Sequence, residues 1–283
     1  MTFSEALLYY GKRLLPPIDP AEADAMIKLL FEHVFQKDRT EFHALQRRIL
    51  QEAELTRLTQ LTDRLIAGEP VQYVTGEAWF CGLKLMVNNQ VLIPRPETEE
   101  LVEWIIANCR FPVSALDILD IGTGSGCLAL ALKRRIRKAT VTAADVDPGA
   151  LSVARHNAHH LAIDITILQT DLLDPATWNV LPVADIIVCN PPYISAAEKT
   201  AMSATVLDHE PHRALFAPEA DPLIFYRQLA ILAENGLQSE GQLFCELNAS
   251  LAQQTAAIFQ EAGFQVMLKE DMQGNIRLLR AWR

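Results

Sequence analysis

No part of this sequence is an uninterrupted apolar run of the roughly 20 residues that a membrane-spanning helix needs. Its opening residues, Met1 to Arg13, lack the basic-then-apolar pattern and small-residue cleavage site of a secretory leader. A soluble, cytoplasmic chain is the expectation. Cysteine is sparse and unpatterned: Cys81, Cys109, Cys127, Cys189 and Cys245 show neither CxxC nor Cys/His spacing. They read as reduced thiols in largely apolar segments, with metal ligation as the alternative, and no metal is expected. Positive charge is short too. Lys and Arg number 25 against 35 Asp and Glu, a net charge of −10 that speaks against sequence-independent binding to phosphate backbones, though not against a local basic patch. Internal repeats and low-complexity tracts are lacking as well.

What is present is enough apolar material for a large core: half of 283 residues, which can fill one large domain or two modest ones. From Met1 to about Pro70 the pattern is helical. Asp19-Pro20-Ala21-Glu22 combines a capping Asp, Pro at the first helical position and Glu in the first turn, and Met26, Leu29, Leu30 and Val34 then share a face. Gly68-Glu69-Pro70 closes this region, so residues 1–70 are expected to be a small helical domain. Its charged faces read as solvated surface or as a docking surface for a macromolecule. Between Val71 and Leu92 the period shifts towards extended structure, with Gly76, Gly82 and Asn88-Asn89 as turns, giving a hairpin linker over 71–94. Pro94 and Pro96 then fix the backbone around Arg95, a rigid hinge before a helix that Glu97 or Thr98 can open.

From Ala115 onward, within a domain expected over 95–283, strand and helix patterns alternate, which predicts a mostly parallel sheet covered on both faces. Expected strands run over Ala115–Asp120, Ala139–Asp145, Asp164–Gln169, Asp185–Cys189 and Gly241–Leu247. The last two, Phe264–Lys269 and Asn275–Trp282, form an antiparallel hairpin at the sheet edge. Expected helices run over Cys127–Lys138, Pro148–His159, Leu223–Ala233 and Leu251–Ala262.

Two loops in this pattern carry chemistry. The first strand leads into Asp120-Ile121-Gly122-Thr123-Gly124-Ser125-Gly126, whose glycines allow a tight turn and close approach to a ligand. The second strand ends in Asp145, at the distance where an acidic residue meets a ribose hydroxyl pair. Asp171, after the third, is placed to accept from an adenine amino group, with Leu172 as an apolar wall. The fourth strand ends abruptly in Asn190-Pro191-Pro192-Tyr193. The prolines hold Asn190 and Pro191 extended. The Asn190 side-chain oxygen and the Pro191 carbonyl can then accept both hydrogens of a planar NH2 group, with the Tyr193 ring as a flat wall. Alone, this tetrapeptide is also compatible with an ordinary turn. Together with the glycine loop, Asp145 and Asp171, it falls at the carboxyl ends of consecutive strands, the edge where open α/β sheets bind ligands.

The glycine loop, Asp145 and Asn190 to Tyr193 resemble the class I S-adenosylmethionine-dependent methyltransferases that modify amino groups. Three further stretches narrow the likeness: Gly68-Glu69-Pro70-Val71-Gln72-Tyr73-Val74-Thr75-Gly76, Leu92-Ile93-Pro94-Arg95-Pro96-Glu97-Thr98-Glu99 and His209-Glu210-Pro211. They are similar to the release factor glutamine methyltransferases, the PrmC/HemK type. The resemblance implies a Rossmann-like, mostly parallel seven-stranded sheet with an antiparallel last strand, behind a small N-terminal helical domain that helps to dock the substrate. It implies methylation of the glutamine side-chain amide in the Gly-Gly-Gln tip of peptide chain release factors, S-adenosyl-L-methionine as cofactor and S-adenosyl-L-homocysteine as product. Cofactor residues then fall on Gly122, Thr123, Gly124, Ser125, Gly126, Asp145, Asp171, Leu172 and Asn190. Substrate residues fall on Asn190, Pro191, Pro192, Tyr193 and Phe80, with Asn190, Pro191 and Tyr193 catalytic. Leu172 stands where some members carry tryptophan. A monomer without a direct nucleic-acid substrate is expected. The alternatives are a ribosomal-protein glutamine or nucleic-acid amino-group methyltransferase and, in another class, a non-catalytic cofactor-binding adaptor. A dehydrogenase would need the longer GxGxxG spacing and a hydride-handling His or Tyr site, neither of which is evident.

Overall fold

The computed structural model describes residues 1–16, 18–109 and 116–283. The chain forms two compact units, one of Met1–Glu77 with Ser203–His209, the other of Ala78–Met202 with Glu210–Arg283. Among the described residues no helix is long and apolar enough to cross a membrane.

The first unit is built on the helices Phe3–Arg13, Pro20–Phe35 and Glu52–Ile66. Thr2 and Glu5 form a capping box, and Asp19 accepts from the Ala21 N–H at 2.8 Å with Pro20 behind it, so both helices start where side chains satisfy free backbone donors. Their apolar stripes meet in a core of Phe3, Leu30, Phe31, Leu58 and Leu61. The stretch from Val71 is not extended at once. Val71–Thr75 makes one short helix ended by Gly76 in the left-handed region, and only then does the chain enter β1 (Glu77–Phe80) and β2 (Leu83–Met86). Cys81 and Gly82, both at positive φ, turn that hairpin.

In the second unit seven strands form one sheet: β3 (Asp117–Ile121), β4 (Thr140–Asp145), β5 (Thr166–Gln169), β6 (Ala184–Cys189), β7 (Leu237–Glu246), β8 (Gln265–Glu270) and β9 (Ile276–Trp282). Ala115, the expected start of β3, lies outside the described residues. The order is β5-β4-β3-β6-β7-β9-β8, parallel except that β9 runs antiparallel to both neighbours. Sequence order reverses beside β3, between β4 on one side and β6 on the other, and a crevice opens there at the carboxyl ends of the strands. Strands β3 and β6 are buried on both faces. Ile118, Ile186 and Val188 pack under the helices Pro96–Asn108 and Cys127–Arg135, whereas Leu119, Ile187 and Cys189 pack under Ile224–Gly236 and Ala252–Glu261.

Candidate functional site

The glycine loop departs from β3 with Gly122, Gly124 and Gly126 all at positive φ, of 73°, 55° and 83°. A Cβ at Gly122 or Gly124 would meet nothing within 4 Å, so both stand over open space; one at Gly126 would press on Leu130 and Ala154. The loop is tied down on every side. Gly122 and Thr123 donate to the Ala144 carbonyl at 2.8 and 3.0 Å, and buried Asn157 donates to the Ser125 carbonyl at 2.9 Å. Beneath it, Asp120 Oδ2 accepts from the Thr123 hydroxyl at 2.6 Å and the Ala129 N–H at 3.1 Å. Burial raises the Asp120 carboxyl to about 7 against the pull of those two donors.

At the end of β4, Asp145 Oδ2 accepts from Gly124 N–H and Oδ1 from Asp147 N–H, both at 2.9 Å. Burial raises the pKa of this carboxyl too, opposed by the Gly124 N–H and by Arg213. Arg213 itself pairs with Asp147. Asp171 turns its own loop, with Oδ1 accepting from Leu173 N–H at 2.8 Å. Leu172 is buried beside it.

These parts line one cavity of about 300 Å3, which takes in Gly122 to Ser125, Asp145, Asp171, Leu172 and, from the end of β6, Asn190, Pro191 and Pro192. Gly126 lies behind it as the helix cap. Besides Gly126, two expected site residues do not line the cavity. Tyr193, the last residue of the tetrapeptide, is half-buried, its hydroxyl donating to Glu246 at 3.4 Å. Phe80 is fully buried in the core, so no face of it is open to a substrate here.

Several cavity residues come from outside the two motifs. Phe225, from the helix Ile224–Gly236, gives it an aromatic wall, and Leu92, Pro94, Arg95 and Thr98 form another side. The hinge motif meets the distant Glu210, whose buried carboxylate takes Arg95 at 2.5 Å and the Ile93 N–H at 3.2 Å. Thr98 does not cap its helix, which begins at Pro96 with Arg95 as a cap lacking a side-chain bond. Its buried hydroxyl instead accepts from Asn190 Nδ2 at 3.1 Å. That bond engages one of the amide's two N–H donors and so orients Asn190 Oδ1 as an acceptor.

Residues 6–76 match the PrmC N-terminal domain family and residues 100–217 the Methyltransferase small domain family. Among solved structures, the hMettl16 catalytic domain in complex with MAT2A 3'UTR hairpin 6 covers 94% of this chain and 93% of its own at 19% identity and a TM-score of 0.54. A methyltransferase from Pyrococcus furiosus covers 82% and 98% at 18% identity and a TM-score of 0.53. Both likenesses concern the fold. Release factor glutamine methyltransferases are much nearer in sequence. The one from Flavobacterium psychrophilum is 38% identical over 93% of this chain and 92% of its own, and that from Bacteroides thetaiotaomicron 38% over 97% and 98%. With that identity along nearly the whole of both chains, this protein belongs to the release factor glutamine methyltransferase family.

Proposed function

We propose that this protein methylates the side-chain amide nitrogen of the glutamine in the Gly-Gly-Gln motif of peptide chain release factors, using S-adenosylmethionine, as a monomer in the cytoplasm. The observation that carries this reading is the single cavity shared by the glycine loop and the Asn190-Pro191 acceptors. The cofactor's chemistry fits the residues present. Gly122 and Gly124 leave open space over their backbones, Asp145 offers a carboxylate suited to an uncharged ribose diol, and Asp171 and Leu172 suit an adenine edge and face. When bound, S-adenosylmethionine supplies a sulfonium methyl group to a nucleophile in line with the sulfur.

An amide nitrogen is a poor nucleophile because its lone pair is delocalised, so the protein's task is aim. Asn190 Oδ1 and the Pro191 carbonyl accept the two amide hydrogens, turn the NH2 towards the cavity and favour the positive charge that develops on nitrogen. Tyr193 anchors the end of the tetrapeptide through its bond to Glu246. Orientation of this kind contributes roughly 7 to 11 kcal/mol in favourable cases. No side chain need remove a proton first, since the nitrogen becomes acidic as it alkylates. The N-terminal helical unit serves to dock the release factor, and nucleic acid is not a substrate.

The test is incubation with labelled S-adenosylmethionine and, in separate reactions, a release factor, the same factor with its tip glutamine replaced, and duplex DNA. Label on the intact factor alone, located to that glutamine by mass spectrometry, is the expected result. Label on DNA or on the glutamine-replaced factor contradicts it.

A further inference from the structure

Strands β6 and β7 are parallel neighbours whose last paired residues are Cys189 and Cys245. Each strand's next residue, Asn190 and Glu246, therefore stands side by side with the other at the carboxyl edge of the sheet. Glu246 is 1% exposed, yet among the described residues its Oε1 has no hydrogen-bond partner of normal geometry and its Oε2 takes a long bond from Tyr193. Thr98 faces the same carboxylate, while its Oγ1 accepts from Asn190 Nδ2 at 3.1 Å. A hydroxyl that accepts from Asn190 must point its own proton elsewhere, and Glu246 is the acceptor beside it.

On the reading that Asn190 presents an acceptor to a substrate amide, we infer that Glu246 is a positioning residue: its ionised carboxylate, acting through the Thr98 hydroxyl, holds the Asn190 amide with Oδ1 towards the substrate. A carboxylate only accepts, so it orders the relay in one direction, from Asn190 Nδ2–H to Thr98 and from Thr98 O–H to Glu246. Protonated, Glu246 donates to Thr98 instead, and Thr98 can then donate to Asn190 Oδ1. The amide flips, and its NH2 meets the substrate's NH2, donor against donor.

The balance between the two forms lies in the working pH range. Burial raises the Glu246 carboxyl to about 7, opposed by Thr98, Arg277 and Tyr193 and reinforced by Glu97. Arg277, on β9, and Glu97, at the start of the helix Pro96–Asn108, are the charged groups facing it. The neutral titratable groups are Tyr193, Tyr226 on the helix behind, and the thiols Cys127, Cys189 and Cys245, all pushed upward by burial and out of that range.

The experiment is single-turnover methylation of a release factor at saturating cofactor from pH 5.5 to 9, with cofactor affinity measured alongside. For the unaltered protein the rate rises about tenfold per pH unit and levels off near pH 7. Glu246→Gln lowers the plateau rate about a hundred-fold, removes the inflection and leaves cofactor affinity within a few-fold. Thr98→Val, which breaks the relay elsewhere, does the same, whereas Thr98→Ser restores rate and inflection. A flat profile in the unaltered protein overturns the inference, as do full rates in Glu246→Gln and Thr98→Val. So does an inflection that survives in Glu246→Gln, for which the buried carboxyls of Asp120 and Asp145 are the other candidates. If the unaltered protein methylates no release factor at any pH, the functional reading falls and this inference with it.

Discussion

Asn190 illustrates how little side-chain freedom the site leaves. Its backbone is restricted by Pro191, its amide nitrogen is engaged by Thr98 at 3.1 Å, and its remaining oxygen borders the cavity. Asn190→Ala therefore removes an orienting acceptor while leaving the glycine loop intact. Rapid-quench single-turnover assays should show methylation about a hundred-fold slower, with the cofactor dissociation constant within a few-fold of the original. Most of the rate surviving would contradict the role given to Asn190. Asp120 yields a prediction about stability. Its carboxyl is raised in the fold from 3.8 to about 7, so between those values the folded chain keeps a proton that the unfolded chain has released. Stability from this group thus falls as pH rises from about 4 to 7 and is level above that. Asp120→Asn keeps an oxygen for Thr123 and Ala129 but cannot ionise. The thermal midpoint of the unaltered protein should drop from pH 5 to pH 8 relative to that of Asp120→Asn; parallel curves would contradict the assignment.

At the scale of elements, two glycines of the same loop do different work. Gly126 caps the helix Cys127–Arg135 at φ 83°, and an added Cβ would come within 3.2 Å of Leu130 and 3.3 Å of Ala154. Gly124→Ala meets open space and pays only for its left-handed backbone, about 1 to 2 kcal/mol. Gly126→Ala should lower the thermal midpoint more than Gly124→Ala, and Gly124→Ala should cost more cofactor affinity relative to its stability loss; calorimetry and binding titrations check both. The loop was legible in the sequence because glycine at those positions has a local cause. So were β4, β6 and β9, where β-branched and apolar runs end at turn residues. The helix Val71–Thr75 was not, because five residues hold barely one helical period. Thr98 and Glu210 stood out only as motif members, and Phe225 and Glu246 not at all, for another reason: each joins the site by contact between strands or helices far apart in the chain, which no local pattern encodes. The same holds for Tyr193 and Phe80, whose motif positions say nothing of whether the ring faces the cavity or the core.

Across the whole molecule, the chemistry sits within one compact unit and the family-specific helices in the other, a division of labour that we assign as catalysis and docking. If the helical unit contributes to substrate capture, a short peptide containing Gly-Gly-Gln should be methylated with a much higher KM than an intact release factor, at a kcat of the same order. Steady-state kinetics on the two substrates check this; equal KM values would assign the helical unit some other role. Membership of Ser203–His209 in the helical unit was invisible to a reading in chain order, since only tertiary contact brings that segment back. A mostly parallel sheet with an antiparallel hairpin at its edge, by contrast, is legible in the alternating strand and helix patterns, although the order β5-β4-β3-β6-β7-β9-β8 is set by tertiary packing.

If an amide and a cofactor share the cavity between Gly122 and Pro191, a crystal structure of the protein with S-adenosylhomocysteine and a Gly-Gly-Gln peptide will show it. The glutamine nitrogen should lie within hydrogen-bonding distance of both Asn190 Oδ1 and the Pro191 carbonyl, facing the sulfur; a glutamine bound away from Asn190, or a cofactor bound away from the glycine loop, would rule this arrangement out.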